Sequence, residues 1–161
     1  MQPATETSAA TYRQRIARLQ QVMSKAGCQA MVLEPGPAML YLTGVRWGKS
    51  ERTFAVVLPA QGEPVWVLPG FEEARARELI RVGDDIRVWQ EDESPYQRIV
   101  QGIEDRAGVA ASNSPARIAI DDAARFFVFD GIRHVAPKAE YTGAAAILKQ
   151  AGVETGAAAG G

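Results

Sequence analysis

Short runs of apolar residues alternate along this chain with segments of helical periodicity. Runs of four or five apolar residues bounded by turn residues are typical of strands that are buried on both faces. The predicted strands are 30–33, 54–58, 65–68, 85–89, 117–120 and 140–142. Because helices are predicted between and around them, the order indicates an α/β fold, a mixed β-sheet of about six strands with helices on both faces.

The runs at 54–58 and 65–68 are predicted to form an antiparallel hairpin. The connection between them contains Pro59, Gly62 and Pro64, which are residues that terminate strands and form turns. A connection this short joins neighbouring antiparallel strands, whereas a parallel pair needs a crossover of about a dozen residues or more. We therefore expect one hairpin within an otherwise helix-connected sheet.

The first helix is predicted to start at Thr11, where Thr11-x-x-Gln14 matches a capping box. Its apolar residues recur at helical spacing and are expected to form one buried face: Tyr12, Ile16, Leu19 and Met23. Gly27 is expected to end this helix, because glycine adopts the left-handed conformation at little cost.

Two later helices carry start signals of different kinds. Ser94 is followed by Pro95 and Gln97, a capping box with proline at the first helical position, where its missing N–H costs nothing. Asp121 or Asp122 is expected to cap the helix that comes after the strand at 117–120.

Length and charge limit the class of protein. The 161 residues suit one globular domain, which we expect to span 11–150 between a disordered tail at 1–10 and a flexible tail at 151–161. With 18 Lys and Arg against 19 Asp and Glu, the formal net charge of −1 gives no electrostatic case for a nucleic-acid partner. No apolar run approaches the ~18–20 residues that span a bilayer, so no membrane partner is predicted.

Cysteine and histidine each occur once, as Cys28 and His134. A single cysteine cannot form an internal disulfide, and a reducing compartment, the cytoplasm, fits this composition. Two such ligands do not make a zinc site, and neither residue has a catalytic partner in the sequence. Cys28 is expected to be a small buried residue and His134 a structural or exposed one, and no metal ligand is predicted.

The segment Gly44-x-x-x-Gly48-Lys49-Ser50 is similar to a phosphate-binding loop. It has one residue fewer between its glycines than that loop requires to curl its amides around a phosphate. A helical turn is predicted at 38–42, where a buried strand should lead into the loop. A weak phosphate or nucleotide binder through Gly48, Lys49 and Ser50 remains an alternative.

Trp47 lies in the polar, glycine-bearing segment 45–52, which is predicted to be a loop. Its large apolar ring must be covered by something. It either folds back onto its own sheet or serves in recognition, and the residues favour neither interpretation. Trp66 and Trp89 lie within predicted strands and are expected in the core.

The order of several short motifs is similar to that of one known family. After Tyr41-Leu42-Thr43-Gly44 comes a characteristic hairpin, and the other segments keep the same order. The segments are Arg15-x-x-Arg18-Leu19-x-x-x-Met23-x-x-x-Gly27-x-x-Ala30-Met31-Val32-Leu33, Val57-Leu58-Pro59-Ala60-x-Gly62-Glu63-Pro64, Val67-Leu68-Pro69, Glu72-Glu73-Ala74-Arg75 and Ile86-Arg87-Val88-Trp89. Over residues 12–150 the chain resembles the amino-terminal domain of the creatinase, prolidase and Xaa-Pro aminopeptidase family.

The resemblance implies a non-catalytic domain with a mixed sheet flanked by helices. In that family a second, pita-bread domain holds two divalent metals (Mn, Co or Zn), which activate a water molecule for peptide hydrolysis. We expect that catalytic domain to be absent from these residues. The chain itself is therefore expected to carry no cofactor and to hydrolyse no peptide.

The resemblance also implies a role for the loop after the Tyr-Leu-Thr-Gly motif. Dimers of the family place this loop near the active site of the partner subunit, where it shapes substrate access. The matching positions here are Arg46, Trp47, Lys49, Ser50, Glu51 and Arg52. Arginine can pair with a substrate carboxylate, and tryptophan can cover a proline ring. The implied partners are a second copy or the chain's own catalytic domain, and a proline-containing peptide.

A further alternative is a stand-alone interaction or ligand-binding module. In that case Trp47 and the loop around it would be the contact surface.

Overall fold

The computed structural model describes residues 7–107 and 115–153. The elements in chain order are α1 (Ala9–Lys25), β1 (Ala30–Leu33), α2 (Pro37–Thr43), β2 (Ala55–Pro59), β3 (Val65–Pro69), the 3-10 helix η1 (Gly70–Glu72), α3 (Glu73–Leu79), β4 (Asp85–Trp89), α4 (Pro95–Ala107), β5 (Arg117–Ile120), α5 (Phe126–Val135), β6 (Glu140–Gly143) and α6 (Ala145–Gln150). Most of the expected tails at 1–10 and 151–161 lies outside the described residues.

The six strands form one mixed sheet in the order β4-β3-β2-β1-β5-β6. β2 pairs antiparallel with β1 and β3, and the other three neighbouring pairs are parallel. Five strands therefore run in one direction and end at a common edge, which we call the carboxyl edge. The predicted α/β fold class is confirmed, with a single hairpin formed by β2 and β3.

Alternate residues of the central strands enter two separate cores. In β1, Met31 and Leu33 pack against α1, α2, α3 and α6, whereas Ala30 and Val32 pack against α4 and α5. Both faces of the sheet are covered, which is why these strands are continuous apolar runs in the sequence. Within the described residues, no helix is long and apolar enough to cross a membrane.

Helix α1 starts earlier than the predicted capping box. Ser8 is the N-cap and accepts a hydrogen bond from the Thr11 backbone N–H at 3.2 Å, so Thr11 lies inside the first turn. The predicted start at Thr11 was wrong because the hydroxyl of Ser8, directly before the first helical residue Ala9, is the N-cap. Of the predicted buried face, Ile16, Leu19 and Met23 are buried and Tyr12 is half-buried. Gly27 follows the helix with a φ of 69°, as predicted.

Asp121 and Asp122 do not cap α5, contrary to the prediction. The N-cap position of α5 is Arg125, which makes no side-chain capping bond. Asp121 instead accepts from the backbone N–H groups of Ala123 and Glu34, and Asp122 accepts from the first residue of α6. The chain turns once between β5 and α5, so the two carboxylates bind the turn and neighbouring elements.

The predicted start of α4 and the predicted core tryptophans are confirmed. Ser94 Oγ accepts from the backbone N–H of Tyr96 at 3.2 Å. Trp66 and Trp89 are buried, and both indole N–H groups donate to backbone carbonyls. The acceptor of Trp89 is the Thr53 carbonyl at 3.0 Å, which fixes the chain just before β2.

Candidate functional site

The connection between α2 and β2, residues 44–54, lies at the carboxyl edge of the sheet, and we call it the α2–β2 loop. It enters the sheet beside the ends of β1 and β3. In open α/β sheets, ligands bind outside the carboxyl ends of the strands. All six residues assigned from the resemblance lie on this loop: Arg46, Trp47, Lys49, Ser50, Glu51 and Arg52.

Gly44 sets the direction in which the α2–β2 loop leaves α2. Its φ is 80°, and a Cβ at this position would lie 2.6 Å from ring atoms of Tyr12. The preceding residue, Thr43, donates from Oγ1 to the Met39 carbonyl at 2.6 Å and accepts from the Val45 N–H at 3.2 Å. The Thr43-Gly44 pair therefore ends the helix and fixes the first step of the loop.

Trp47 folds back onto its own domain. Its ring stacks on Phe54 with centroids 4.4 Å apart and an interplanar angle of 21°. The Arg75 guanidinium carbon, from α3, lies 4.7 Å from the Trp47 ring centroid. The ring is half-buried, so its remaining surface faces outward.

A cavity of about 640 Å³ opens beside Trp47. Its polar and aromatic lining includes Tyr12, Arg15, Tyr41, Arg46 and Trp47. Arg15 lies 3.9 Å from the Tyr41 ring centroid and donates to the Tyr41 carbonyl at 2.8 Å, which holds its guanidinium in place. Two guanidinium groups and three aromatic rings suit a ligand that combines a ring with an anionic group.

The second half of the α2–β2 loop is held by charged side chains. Lys49 Nζ donates to the Ala123 carbonyl at 3.1 Å, in the turn before α5. Arg52 Nε donates to Glu91 Oε1 at 2.8 Å, and its guanidinium carbon lies 5.1 Å from the ring centroid of the exposed Phe71. The loop is thereby attached to the chain beyond β3, β4 and β5.

Ser50 and Glu51 make contacts at the turn of the loop. Ser50 Oγ accepts from the Arg52 N–H at 3.1 Å, and the Ser50 carbonyl accepts from Arg125 Nη1 at 2.6 Å. The exposed Glu51 lies 3.4 Å from the Arg52 guanidinium. Among the described residues, Ser50 has no neighbouring base that could activate its hydroxyl, and Glu51 is paired with an arginine.

A buried ion pair under the loop was missed by the sequence reasoning. Glu34, directly after β1, is fully buried, and Arg125 Nη2 donates to its Oε2 at 2.6 Å. Beside them, burial raises the pKa of the Asp121 carboxyl. The sequence signal for this pair was the position of Glu34, between a buried strand and the Pro35-Gly36-Pro37 turn. A carboxylate that is buried at such a position needs a cationic partner.

The loop does not have the geometry of a phosphate-binding loop. The predicted helical turn before it is confirmed as α2, and the strand β2 follows it where a phosphate-binding loop leads into a helix. The Lys49 ammonium is bound to a backbone carbonyl. Gly48-Lys49-Ser50 therefore shares residue types with that motif but not its conformation.

The remaining candidate residues lie away from the loop. Cys28 is buried, and burial raises the pKa of its thiol, which lowers its reactivity. His134 is exposed on α5, with Nδ1 2.7 Å from the Asp130 carbonyl oxygen. Across 7–107 and 115–153, no group of three His, Cys, Asp or Glu side chains is placed to hold a metal ion.

The comparison with known proteins agrees with the order of motifs. The family model described as the Creatinase/Prolidase N-terminal domain matches residues 15–151. The chain belongs to this family.

Two of the similar proteins are longer dipeptidases. This creatinase/prolidase N-terminal domain is 36% identical over 90 residues to the probable dipeptidase PepE of Mycobacterium tuberculosis, covering 55% of this chain and 24% of that protein. The crystal structure of dipeptidase PepE from Mycobacterium ulcerans superposes with a TM-score of 0.76 and 28% identity, covering 90% of this chain and 37% of that one. The chain thus spans well under half the length of these relatives.

One similar structure is a separate domain of the same kind. The creatinase/prolidase N-terminal domain of an X-Pro dipeptidase from Streptococcus pyogenes gives a TM-score of 0.66 at 17% identity. The match covers 85% of this chain and 98% of that one. At this identity the likeness establishes the shared fold.

Proposed function

We propose that this creatinase/prolidase N-terminal domain is the non-catalytic part of an Xaa-Pro dipeptidase- or aminopeptidase-like metallopeptidase. In this role it supports dimerisation and shapes substrate access to the active site of the partner subunit. The observation that carries the proposal is the α2–β2 loop, which is attached to three neighbouring segments and still presents Arg46 and Trp47 beside a cavity.

The chemistry of the loop fits a proline-containing peptide. Arg46 is exposed and makes no ion pair within the described residues, so its guanidinium is available for a carboxylate. Trp47 has one part of its ring packed on Phe54 and another part facing outward, where it can cover a proline ring. Arg46 and Trp47 would thus bind the peptide substrate without taking part in bond cleavage.

The metals of the parent family do not fit the residues described here. A two-metal centre needs several carboxylate or imidazole ligands that converge from separate elements. Residues 7–107 and 115–153 bring no three such side chains together. We therefore assign the metals, and the hydrolytic chemistry they supply, to the part of the longer relatives that this chain does not match.

An exchange protein tests the access role. In it, residues 15–151 of this chain replace the matching residues of the Mycobacterium ulcerans dipeptidase PepE. We expect Trp47→Ala to raise KM for an Xaa-Pro dipeptide by about 3- to 10-fold, the effect of losing ~1 kcal/mol of binding, with a smaller change in kcat.

The matched control is Glu63→Ala in the same exchange protein. Glu63 is exposed and lies in the β2–β3 connection, at the opposite edge of the sheet. Its replacement should leave KM unchanged. Equal KM values for the Trp47 and Glu63 variants would contradict the access role, and sedimentation of the exchange protein as a monomer would contradict the dimerisation role.

A further inference from the structure

One residue, Arg125, donates all the hydrogen bonds described for the carboxylate of Glu34. Arg125 donates to it three times, from its backbone N–H at 2.9 Å, from Nε at 3.3 Å and from Nη2 at 2.6 Å. Glu34 is fully buried, while the Arg125 side chain keeps 28% of its exposure. A buried carboxylate is stable only when it is paired and hydrogen-bonded, so Arg125 is held firmly in this position.

The same guanidinium also holds the α2–β2 loop. Its remaining terminal nitrogen, Nη1, donates to the Ser50 carbonyl at 2.6 Å. Because the guanidinium is planar and rigid, fixing two of its nitrogens on Glu34 fixes the direction of the third. The position of the Ser50 backbone is therefore set by a charge buried at the end of β1.

A second tether connects the same two segments. Lys49 Nζ donates to the Ala123 carbonyl, and Ala123 lies in the turn that leads to Arg125. That turn is itself held to β1, since Asp121 Oδ2 accepts from the Glu34 N–H at 3.3 Å. The turn before α5 thus links the loop to the sheet by side-chain and backbone contacts.

The other attachments of the loop are of a different kind. The Arg52–Glu91 pair is exposed, with 38% and 70% of the two side chains accessible, and exposed pairs contribute little. Trp47 is held by its ring contacts with Phe54 and Arg75, which involve no ion pair. Arg125, by contrast, joins the Ser50 carbonyl of the loop to the fully buried carboxylate of Glu34.

We propose that Glu34 and Arg125 are positioning residues that clamp the α2–β2 loop in the conformation that presents Arg46 and Trp47. The consequence for substrate access rests on the proposed function. The clamp itself is a property of this chain alone, and it is tested without a substrate.

The decisive variant is Arg125→Lys. A lysine ammonium keeps the charge beside Glu34 but lacks the fork that reaches Ser50 at the same time. The double variant Glu34→Met with Arg125→Met removes the buried charge together with its partner and leaves no unpaired charge in the core. Both variants are expected to remain folded, with a cooperative unfolding transition, and to release the loop.

Fluorine NMR of the 5-fluorotryptophan-labelled chain reports the loop directly. The three tryptophans give three resonances, which single Trp-to-Phe variants assign. We expect the Trp47 resonance to shift or broaden in both clamp variants, while the resonance of the core residue Trp66 stays in place. Arg133→Met, which breaks an exposed pair on the same helix α5, is the matched control and should move neither resonance.

Limited trypsin digestion gives a second measurement. Residues 1–6, 108–114 and 154–161 contain no lysine or arginine, so every cleavage falls within the described residues. Cleavage after Lys49 or Arg52 should become about tenfold faster in both clamp variants, because local opening governs proteolysis, and should be unchanged in Arg133→Met.

An unchanged Trp47 resonance and an unchanged cleavage rate in the folded clamp variants would overturn the proposal. That outcome would leave the access role standing, because the access role is measured by KM in the exchange protein. Conversely, the expected changes in the Trp47 resonance and the cleavage rate, together with a KM that Trp47→Ala leaves unchanged, would contradict the proposed function alone.

Discussion

Single residues set the backbone where the chain turns at the carboxyl edge. Gly44 and Gly48 both lie in the α2–β2 loop, yet their surroundings differ. A Cβ at Gly44 would lie 2.6 Å from the Tyr12 ring and would sit on a φ of 80°, whereas a Cβ at Gly48 would meet no atom within 4 Å. Only the first position requires glycine.

Gly44→Ala is therefore expected to lower the free energy of unfolding by about 1–3 kcal/mol, from backbone strain and displacement of Tyr12. Gly48→Ala should change it by less than about 0.5 kcal/mol, as at an open surface position. Urea denaturation followed by circular dichroism measures both. Equal losses for the two variants would show that the conformation at Gly44 is not the one described.

At the scale of elements, charged pairs secure the edge strand β4. Asp85 accepts from Arg87 of the same strand and from Arg106 of α4, and these hydrogen bonds lower the pKa of the Asp85 carboxyl. All three side chains are less than a third exposed, so solvent screens them only in part. This network attaches α4 to the margin of the sheet.

The lowered pKa of Asp85 predicts a pH dependence of stability. A carboxyl whose folded pKa lies below its unfolded value stabilises the fold above that unfolded value, and the contribution is lost as the pH falls through the folded pKa. The urea midpoint should therefore fall as the pH drops below the ordinary value of 3.8.

Asp85→Asn should lose about 1–2 kcal/mol at pH 7 and should show a weaker fall in acid. Its neighbour Asp84, which is exposed, provides the control Asp84→Asn. If both variants kept the acid dependence of the natural chain, the pairing of Asp85 would not be its cause.

Elements with local signals were predictable from the sequence, whereas contacts between distant residues were not. β1, β2 and β3 are continuous apolar runs because helices cover both faces of the sheet, and that pattern is visible in the sequence. Glu34 and Arg125 lie 91 positions apart, so neither residue alone reveals the pair. The start of α1 was misplaced because Ser8 and Thr11 are both capable caps.

At the scale of the whole molecule, the sheet gathers the candidate site. Five strands end at the carboxyl edge, and the segments that follow β1, β4 and β5 all contact the α2–β2 loop or its clamp. The loop residues were assigned from the motif order, but the side chains that hold them come from the tertiary fold. Contacts from three different segments of the chain therefore hold the α2–β2 loop at this edge.

The proposed function assigns the access loop to this domain and the hydrolytic chemistry to the part of the longer relatives that the chain does not match. Its most direct test is the initial rate of Xaa-Pro dipeptide hydrolysis with Mn²⁺, measured for the 161-residue chain alone and for the exchange protein. We predict no hydrolysis above the metal-and-buffer background for the chain, and metal-dependent hydrolysis for the exchange protein. Metal-dependent hydrolysis by the purified chain, or a folded exchange protein without activity, would contradict the account.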